Sequence, residues 1–92
     1  MNSLFYGATA FNQDLSSWDV SSVTDMSSTF AATSFNNGGS PNISGWTVTA
    51  ATDMGSMFAN SPFNQPIGSW DVSNVTNMTS IFANATNFNN GG

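Results

Sequence analysis

A pattern that recurs about every 25 residues constrains the fold of this chain more than any other feature. Trp-x-Val occurs three times, and each occurrence leads into Thr-Asp-Met or Thr-Asn-Met, then a Phe, then Phe-Asn. The pattern divides the chain into repeats 1–25, 26–53 and 54–77 and a partial repeat 78–92, called repeats 1 to 4 below. Such repetition is typical of a single stacked array in which each repeat covers the core of its neighbour. We therefore expect one domain over residues 1–92.

A longer period lies on top of this one. Repeats 1 and 3 share Phe-Asn-Gln, at residues 11–13 and 63–65, whereas repeats 2 and 4 share Phe-Asn-Asn-Gly-Gly, at residues 35–39 and 88–92. The underlying unit is thus predicted to be a pair of repeats, about 52 residues long. Residues 78–92 match only the first half of a repeat. We therefore expect the chain to belong to a longer array or to be a protomer whose ends meet copies of itself.

The pattern inside one repeat predicts a strand followed by a short helix. Alternation in Trp-x-Val places both apolar side chains on one face of a strand. Thr24 and Asp25 suit a helix start, and Met26 and Phe30 share a helical face. The predicted fold is therefore a right-handed α/β solenoid, in which each coil is a short parallel strand plus a short helix or 3-10 turn.

The aromatic residues are predicted to form the core, in columns that run from repeat to repeat. These residues are Trp18, Trp46 and Trp70; Phe5, Phe30, Phe58 and Phe82; and Phe11, Phe35, Phe63 and Phe88. An Asn follows the second Phe of every repeat, giving the column Asn12, Asn36, Asn64 and Asn89. An Asn in a turn can bond backbone groups of the adjacent coil, so we expect this column to be structural.

The composition excludes several functions. The chain has no Lys, Arg, His or Cys, and five Asp residues give it a formal net charge of −5. Without cations it has nothing basic to bind a nucleic-acid backbone. Without His, Cys or Lys, catalysis would depend on carboxylates alone, and a short solenoid offers no cleft to hold a pair of them. No apolar run is long enough to span a bilayer. We expect no enzymatic activity, no cofactor and no membrane insertion.

Two kinds of binding or modification site remain in the sequence. Asp25 and Asp53 hold the same position in successive repeats, which makes them the candidate Ca²⁺ ligands, although local hydrogen bonding at a helix start is the favoured interpretation. Asn-x-Ser/Thr triplets, the acceptors of N-linked glycans, begin at Asn42, Asn74, Asn77 and Asn84. Of these four, Asn42 lies in a loop inserted into repeat 2.

Residues 11–26, FNQDLSSWDVSSVTDM, resemble the repeat unit of the BspA-like leucine-rich-repeat surface proteins, and residues 63–82 repeat the pattern. The resemblance covers essentially the whole chain. It implies an extracellular, cell-surface array of leucine-rich-repeat-like coils with roles in adhesion, and it carries no catalytic residues. Repeat 2 departs from the pattern at Thr47 and Ala51 and in a loop at residues 38–41.

Two functions of different classes are compatible with this sequence. The chain is either a structural protein that builds a fibre or surface scaffold by end-to-end stacking of coils, or a surface adhesion module that binds a host or matrix protein or a glycan. Uncapped repeats expose core and backbone edges and polymerise unless they are blocked, which favours the first function. The family resemblance favours the second. In both cases we expect an extracellular or cell-surface protein whose partners are copies of itself, further repeats, glycans or extracellular proteins.

Overall fold

The computed structural model describes residues 1–91, and Gly92, the last residue of repeat 4, lies outside the described residues. The four repeats stack on one another to give a body of 28 × 23 × 21 Å. Within residues 1–91 the regular elements are two 3-10 helices in repeat 2, Asn37–Gly39 and Pro41–Gly45, which overlap the two ends of the inserted loop. Two isolated parallel bridges join Asp25 to Asp53 and Asp53 to Asn77. The rest of the described chain is made of turns and irregular backbone.

The prediction of a right-handed α/β solenoid of the leucine-rich-repeat type is therefore wrong. No strand or sheet is formed over residues 1–91, because the only strand-like pairings are the isolated bridges. The predicted helix after Thr24 is also missing, and the two 3-10 helices lie elsewhere in repeat 2. Each repeat is instead a chain of consecutive turns, held in place by hydrogen bonds to the neighbouring repeats.

Left-handed backbone at regular positions prevents the predicted helix. The second residue after the first Met of each repeat has a φ between 54° and 57°, and these residues are Ser3, Ser28, Ser56 and Ser80. A second column of positive φ follows four residues later, at Gly7, Ala32, Asn60 and Asn84. A right-handed helix needs negative φ throughout, so it cannot continue past the first of these residues.

Turns also replace the strand predicted at Trp-x-Val. In repeat 2 the backbone N–H of Trp46 donates to the oxygen of Ile43 at 3.0 Å, and that of Ala51 donates to the oxygen of Val48 at 3.0 Å. The same two turns recur in repeats 1 and 3. Trp46 and Val48 still bury their side chains on one side of the backbone, at 5% and 1% exposure. An alternating apolar pattern thus arises here without strand pairing.

A ladder of backbone hydrogen bonds joins the first halves of successive repeats. Every second N–H donates to a carbonyl of the next repeat, as Ser28 does to Gly55 at 2.8 Å and Phe30 does to Met57 at 3.0 Å. The N–H groups in between close turns inside their own repeat, as Ala31 does to Ser28 at 3.2 Å. This division satisfies the backbone of a segment that has neither helix nor sheet.

The core consists of aromatic stacks along the repeat direction. Ring centroids in the column of the first Phe, from Phe5 to Phe30, Phe58 and Phe82, are 5.7, 5.8 and 5.7 Å apart. The column Phe11, Phe35, Phe63 and Phe88 has spacings of 5.9, 5.8 and 6.1 Å. Rings of the two columns also stack within each repeat, at 3.8 Å in repeat 2. The Phe residues of repeats 2 and 3 are fully buried, whereas those of repeats 1 and 4 are half-buried.

Candidate repeat-stacking interfaces

The Asn column links neighbouring repeats through side-chain oxygens. Asn12 Oδ1 accepts the N–H groups of Asn36 and Gly38, at 2.7 and 2.9 Å. Asn36 Oδ1 accepts the N–H of Asn64 at 2.7 Å, and Asn64 Oδ1 accepts the N–H of Asn89, also at 2.7 Å. The side chains are half-buried or exposed rather than buried. The column therefore fixes the register of one repeat on the next, and these three oxygens are engaged with backbone donors.

Asn37 is an interface residue that the sequence pattern did not single out. It is fully buried, and its Oδ1 accepts the N–H of Leu15 in repeat 1 at 2.7 Å. Its Nδ2 donates to Ser16 Oγ at 2.9 Å and to the oxygen of Ser40 at 3.0 Å. The equivalent residue of repeat 4, Asn90, accepts the N–H of Ile67 at 2.8 Å. The shared Phe-Asn-Asn-Gly-Gly motif was the available signal for this role.

Glycines of the same motif let the repeats approach closely. Gly38 has a φ of 60°, and a Cβ on it would lie 3.1 Å from the backbone nitrogen of Asp14. Gly91 has a φ of 81°, and a Cβ there would lie 2.7 Å from Pro66 Cδ. Only glycine meets both requirements without strain, which explains the first glycine of the Gly-Gly pair in repeats 2 and 4.

The polar contacts between neighbouring repeats differ from one interface to the next, in step with the two-repeat period. Gln65 of repeat 3 is buried, and its Nε2 donates to the backbone oxygen of Asn36 in repeat 2 at 3.1 Å. Gln13, the equivalent residue of repeat 1, is exposed. An interface in which a Phe-Asn-Gln repeat follows a Phe-Asn-Asn repeat therefore gains a contact that the other interfaces do not have.

The Trp column is tied to the preceding repeat by its indole nitrogens. Trp46 Nε1 donates to the oxygen of Leu15 at 3.0 Å, and Trp70 Nε1 donates to the oxygen of Ile43 at 3.1 Å. The rings of Trp46 and Trp70 stack at 6.0 Å. Trp18, in repeat 1, is 43% exposed and packs against Phe5 at 5.8 Å. For Trp46 and Trp70, the indole N–H thus fixes the ring where it also buries apolar area.

Four of the Asp residues close local turns by accepting hydrogen bonds from the Ser two positions later. The pairs are Asp14 with Ser16, Asp19 with Ser21, Asp25 with Ser27 and Asp71 with Ser73. The Ser hydroxyl and then the Ser N–H lower the pKa of each carboxyl, because both bonds favour the ionised form. For Asp25, the Asn2 amide lowers the pKa further.

Because these Asp–Ser hydrogen bonds favour the ionised carboxyl, we expect the folded protein to lose stability in acid. A group whose pKa is lower in the folded state contributes stability above its unfolded-state pKa, about 3.9 for Asp. That stability disappears as the pH falls through the lower folded-state pKa. We expect the melting temperature to be flat between about pH 5 and 7 and to fall below about pH 4. Circular dichroism melts across this range would measure the change.

Asp71→Asn is the matched variant for this prediction. Asn77 Oδ1 accepts the N–H of Thr79 at 2.9 Å, so an amide oxygen closes the same turn without titrating. The Asp71→Asn variant should therefore melt near the wild-type temperature at neutral pH and lose less stability in acid. An unchanged slope of melting temperature against pH would contradict the role given to Asp71.

The candidate calcium ligands are engaged with protein donors. Asp25 Oδ1 accepts from Ser27, and its Oδ2 accepts from Asn2 Nδ2 at 3.0 Å. Asp53 Oδ1 accepts the N–H of Gly55 at 2.9 Å and Asn77 Nδ2 at 3.1 Å. No group of three or more acidic, His or Cys side chains that could hold a metal ion is found in the described part of the chain. A calcium site at Asp25 and Asp53 stays an untested prediction.

The glycosylation acceptors lie in different surroundings. Asn42 is exposed in the second 3-10 helix. Asn74 is exposed, and its Nδ2 donates to the oxygen of Thr49 at 2.7 Å. Asn77 is half-buried with its Nδ2 on Asp53, and Asn84 is exposed with a φ of 55°. Because a sugar is attached at Nδ2, modification of Asn42 or Asn84 breaks no side-chain hydrogen bond found within residues 1–91, whereas Asn74 and Asn77 each use Nδ2 as a donor.

At both ends of the stack, some backbone groups have no hydrogen-bond partner within residues 1–91. In repeat 4 the N–H groups of Ser80, Phe82 and Asn84 have no acceptor within residues 1–91, although their equivalents in repeats 1 to 3 bond the following repeat. In repeat 1 the matching carbonyl groups accept no hydrogen bond within residues 1–91, and these belong to Asn2, Leu4 and Tyr6. Leu4 and Tyr6 are also 54% and 63% exposed. One end thus presents donors and the other presents acceptors at the same repeat positions.

These features define a class of protein in which short tandem repeats of turns stack through aromatic columns and an Asn ladder. The chain belongs to the family described as "Mycoplasma protein of unknown function, DUF285", which it matches over residues 1–91. This family is associated with BspA-like surface repeats, so the surface-repeat resemblance is confirmed at that level. No curated protein and no solved structure matches the chain. Neither of the 3-10 helices in the described residues is long enough to cross a membrane.

Proposed function

We propose that this chain is a non-enzymatic, extracellular structural protein whose stacked repeats join end to end with further repeats and build a fibre or a cell-surface scaffold. The observation that carries the proposal is the complementarity of the two ends. Ser80, Phe82 and Asn84 present N–H groups at one end, in the order in which repeat 1 presents carbonyl groups at the other. Inside the stack, the same pairing closes with distances of 2.8 to 3.1 Å.

The two-repeat period also supports contact between repeat 4 of one copy and repeat 1 of the next. Repeat 4 is of the Phe-Asn-Asn type and repeat 1 is of the Phe-Asn-Gln type, so their contact repeats the alternation of the interface between repeats 2 and 3. Gln13 would then donate to the backbone oxygen of Asn89, as Gln65 does to Asn36. Half-buried Phe82 and Phe88 would meet Phe5 and Phe11 of the next copy. The five Asp residues leave a net charge of −5, so assembly proceeds against an electrostatic repulsion between copies that salt screens.

Sedimentation and electron microscopy of the untagged chain test this proposal. We expect oligomers that grow with protein concentration and filaments at high concentration. Met78→Asp, at one end, and Leu4→Asp, at the other, should each prevent growth, because both residues are large, apolar and exposed. An equimolar mixture of these two variants should regain a dimer, because each keeps one intact end. Thr47→Asp is the control, since repeats 1 and 3 already carry Asp at that exposed position.

A single non-associating species at all concentrations would contradict end-to-end assembly. That outcome would favour the second function, a surface adhesion module for a host or matrix protein or a glycan. The association of the family with BspA-like surface repeats is the observation that supports this alternative. The exposed surface beside the Trp column, rich in Ser, Thr and Asp, would then be the surface to test for ligands.

A further inference from the structure

The segment that begins at the second Phe of each repeat comes in two types. Repeats 1 and 3 carry Phe-Asn-Gln and reach their Trp quickly, over residues 11–18 and 63–70, and they are called Gln-type repeats below. Repeats 2 and 4 carry Phe-Asn-Asn-Gly-Gly and are called Asn-type repeats, and in repeat 2 the segment to the Trp is longer, over residues 35–46. The interfaces inside the stack are therefore of two kinds, according to which type follows which.

Where an Asn-type repeat follows a Gln-type repeat, the following repeat supplies an acceptor and the earlier repeat supplies a donor. Asn37 Oδ1 accepts the N–H of Leu15 at 2.7 Å, and Asn90 Oδ1 accepts the N–H of Ile67 at 2.8 Å. Leu15 is 4% exposed, so water does not replace the Asn oxygen there. Because the contact occurs at both interfaces of this kind, it is a property of the repeat type.

Where a Gln-type repeat follows an Asn-type repeat, the roles are reversed. Gln65 takes the place of the second Asn, and its Nε2 donates to the backbone oxygen of Asn36 at 3.1 Å. The N–H of Gly39, which stands at the position of Leu15 counted from the Phe, donates to the same oxygen inside its own repeat at 3.0 Å. The Asn-type repeat therefore offers an acceptor to the following repeat, while its N–H at this position is already engaged.

Two repeats of the same type would not match. A Gln-type repeat on a Gln-type repeat would leave the buried N–H at the Leu15 position without the Asn oxygen that accepts it. An Asn-type repeat on an Asn-type repeat would bring the oxygen of its second Asn to the position of Gly39, whose N–H is engaged elsewhere. Each mismatch leaves a buried polar group without a partner, and such penalties are how an interface rejects a wrong neighbour.

The aromatic columns do not provide this selection. Ring centroids in the column of the first Phe are 5.7, 5.8 and 5.7 Å apart at the three successive interfaces. The spacing is thus the same whichever type of repeat follows. Stacking through these rings alone would allow repeats to pack out of order or shifted by one repeat.

We propose that the two repeat types select each other, so that each repeat stacks stably on a repeat of the opposite type. The specificity-determining residues are Asn37 and Asn90 in the Asn-type repeats and Gln65 in the Gln-type repeat. Within the chain, this selection fixes the order of the repeats. Between separate chains it fixes which repeat accepts which, and that part of the inference rests on the proposed function.

A chain with rearranged segments tests the selection. Exchanging residues 35–46 with residues 63–70 keeps the composition but joins like types at two of the three interfaces. Exchanging residues 11–18 with residues 63–70 keeps the alternation and is the matched control. We expect urea unfolding, followed by tryptophan fluorescence, to give the first chain an unfolding equilibrium constant at least about tenfold above that of the control. Equal constants for the two chains would overturn the inference.

Gln65→Glu isolates the donor without rearranging the chain. At pH 7 the carboxylate has no proton to donate to the Asn36 oxygen, so we expect the unfolding equilibrium constant to rise at least about tenfold above wild type. The ratio to wild type should shrink as the pH falls to about 4, because the protonated carboxyl donates again. Gln13→Glu makes the same change in charge at an exposed position and should stay within about twofold of wild type. A loss in Gln65→Glu that is independent of pH, or equal losses in the two variants, would overturn the role of Gln65.

Failure of this inference is distinguishable from failure of the proposed function. Filaments of the wild-type chain, together with equal stability of the rearranged and control chains, would overturn the selection and leave end-to-end assembly intact. A wild-type chain that does not associate, but whose rearranged form is destabilised relative to the control, would support the selection within the chain and contradict the assembly.

Discussion

Phe58→Ala should abolish the cooperative unfolding transition of this chain. The Phe58 ring is fully buried and touches Phe30, Phe63 and Phe82 at 5.8, 4.0 and 5.7 Å. Removing a buried Phe side chain costs about 3–5 kcal/mol. A domain of this size has a total stability near the lower end of about 5–15 kcal/mol. Near-UV circular dichroism and thermal melting would show whether a fixed tertiary structure survives.

Phe82→Ala is the matched control, because Phe82 occupies the same position in repeat 4. It is half-buried and lacks a following repeat within residues 1–91. The physical reason for the difference is that the surroundings of Phe82 are already open to water, so truncation leaves less cavity behind. We expect a folded protein with a lowered melting temperature. Equal losses in the two variants would mean that the aromatic columns do not form a continuous core.

Asn37→Ala should give the largest loss among the polar substitutions. It leaves the buried N–H of Leu15 without an acceptor, which costs about 1–3 kcal/mol. Two further hydrogen bonds of Asn37 are lost with it. The φ of 51° also disfavours Ala more than Asn. Urea unfolding followed by tryptophan fluorescence would measure the fall in the free energy of unfolding.

Asn90→Ala separates the cost of the lost buried hydrogen bond from the cost of left-handed backbone at an Ala. Asn90 has a φ of 50° and makes the equivalent bond to the N–H of Ile67, but it is exposed. Backbone strain in the two variants is thus the same, while water can replace the lost acceptor only at position 90. We expect Asn90→Ala to be destabilised clearly less than Asn37→Ala. Similar losses would assign the effect to the left-handed backbone and not to the buried hydrogen bond.

The predictions of a strand and of a helix in each repeat were wrong, and particular residues show why. Trp46 and Val48 alternate as strand residues do, but successive turns place them on one side equally well, and the pattern does not distinguish the two. Ser28 gave no sequence signal for left-handed backbone, since Gly, Asn and Asp are the residues typical of that region. The N–H of Ser28 bonds to Gly55 of the next repeat, so its conformation depends on a neighbour 27 positions away.

The sequence by itself determined the repeat period of about 25 residues, the two-repeat alternation, and the absence of basic side chains and thiols, because each can be read from residue types and spacing alone. The family association followed from the same residues. Only the tertiary structure decided that turns take the place of strands and helices, that Asn37 is buried, and that Gln65 donates to the backbone oxygen of Asn36. The physical reason is that local propensity in one repeat is weak, and the backbone adopts whichever turns let its N–H groups reach the carbonyl groups of the repeats on either side.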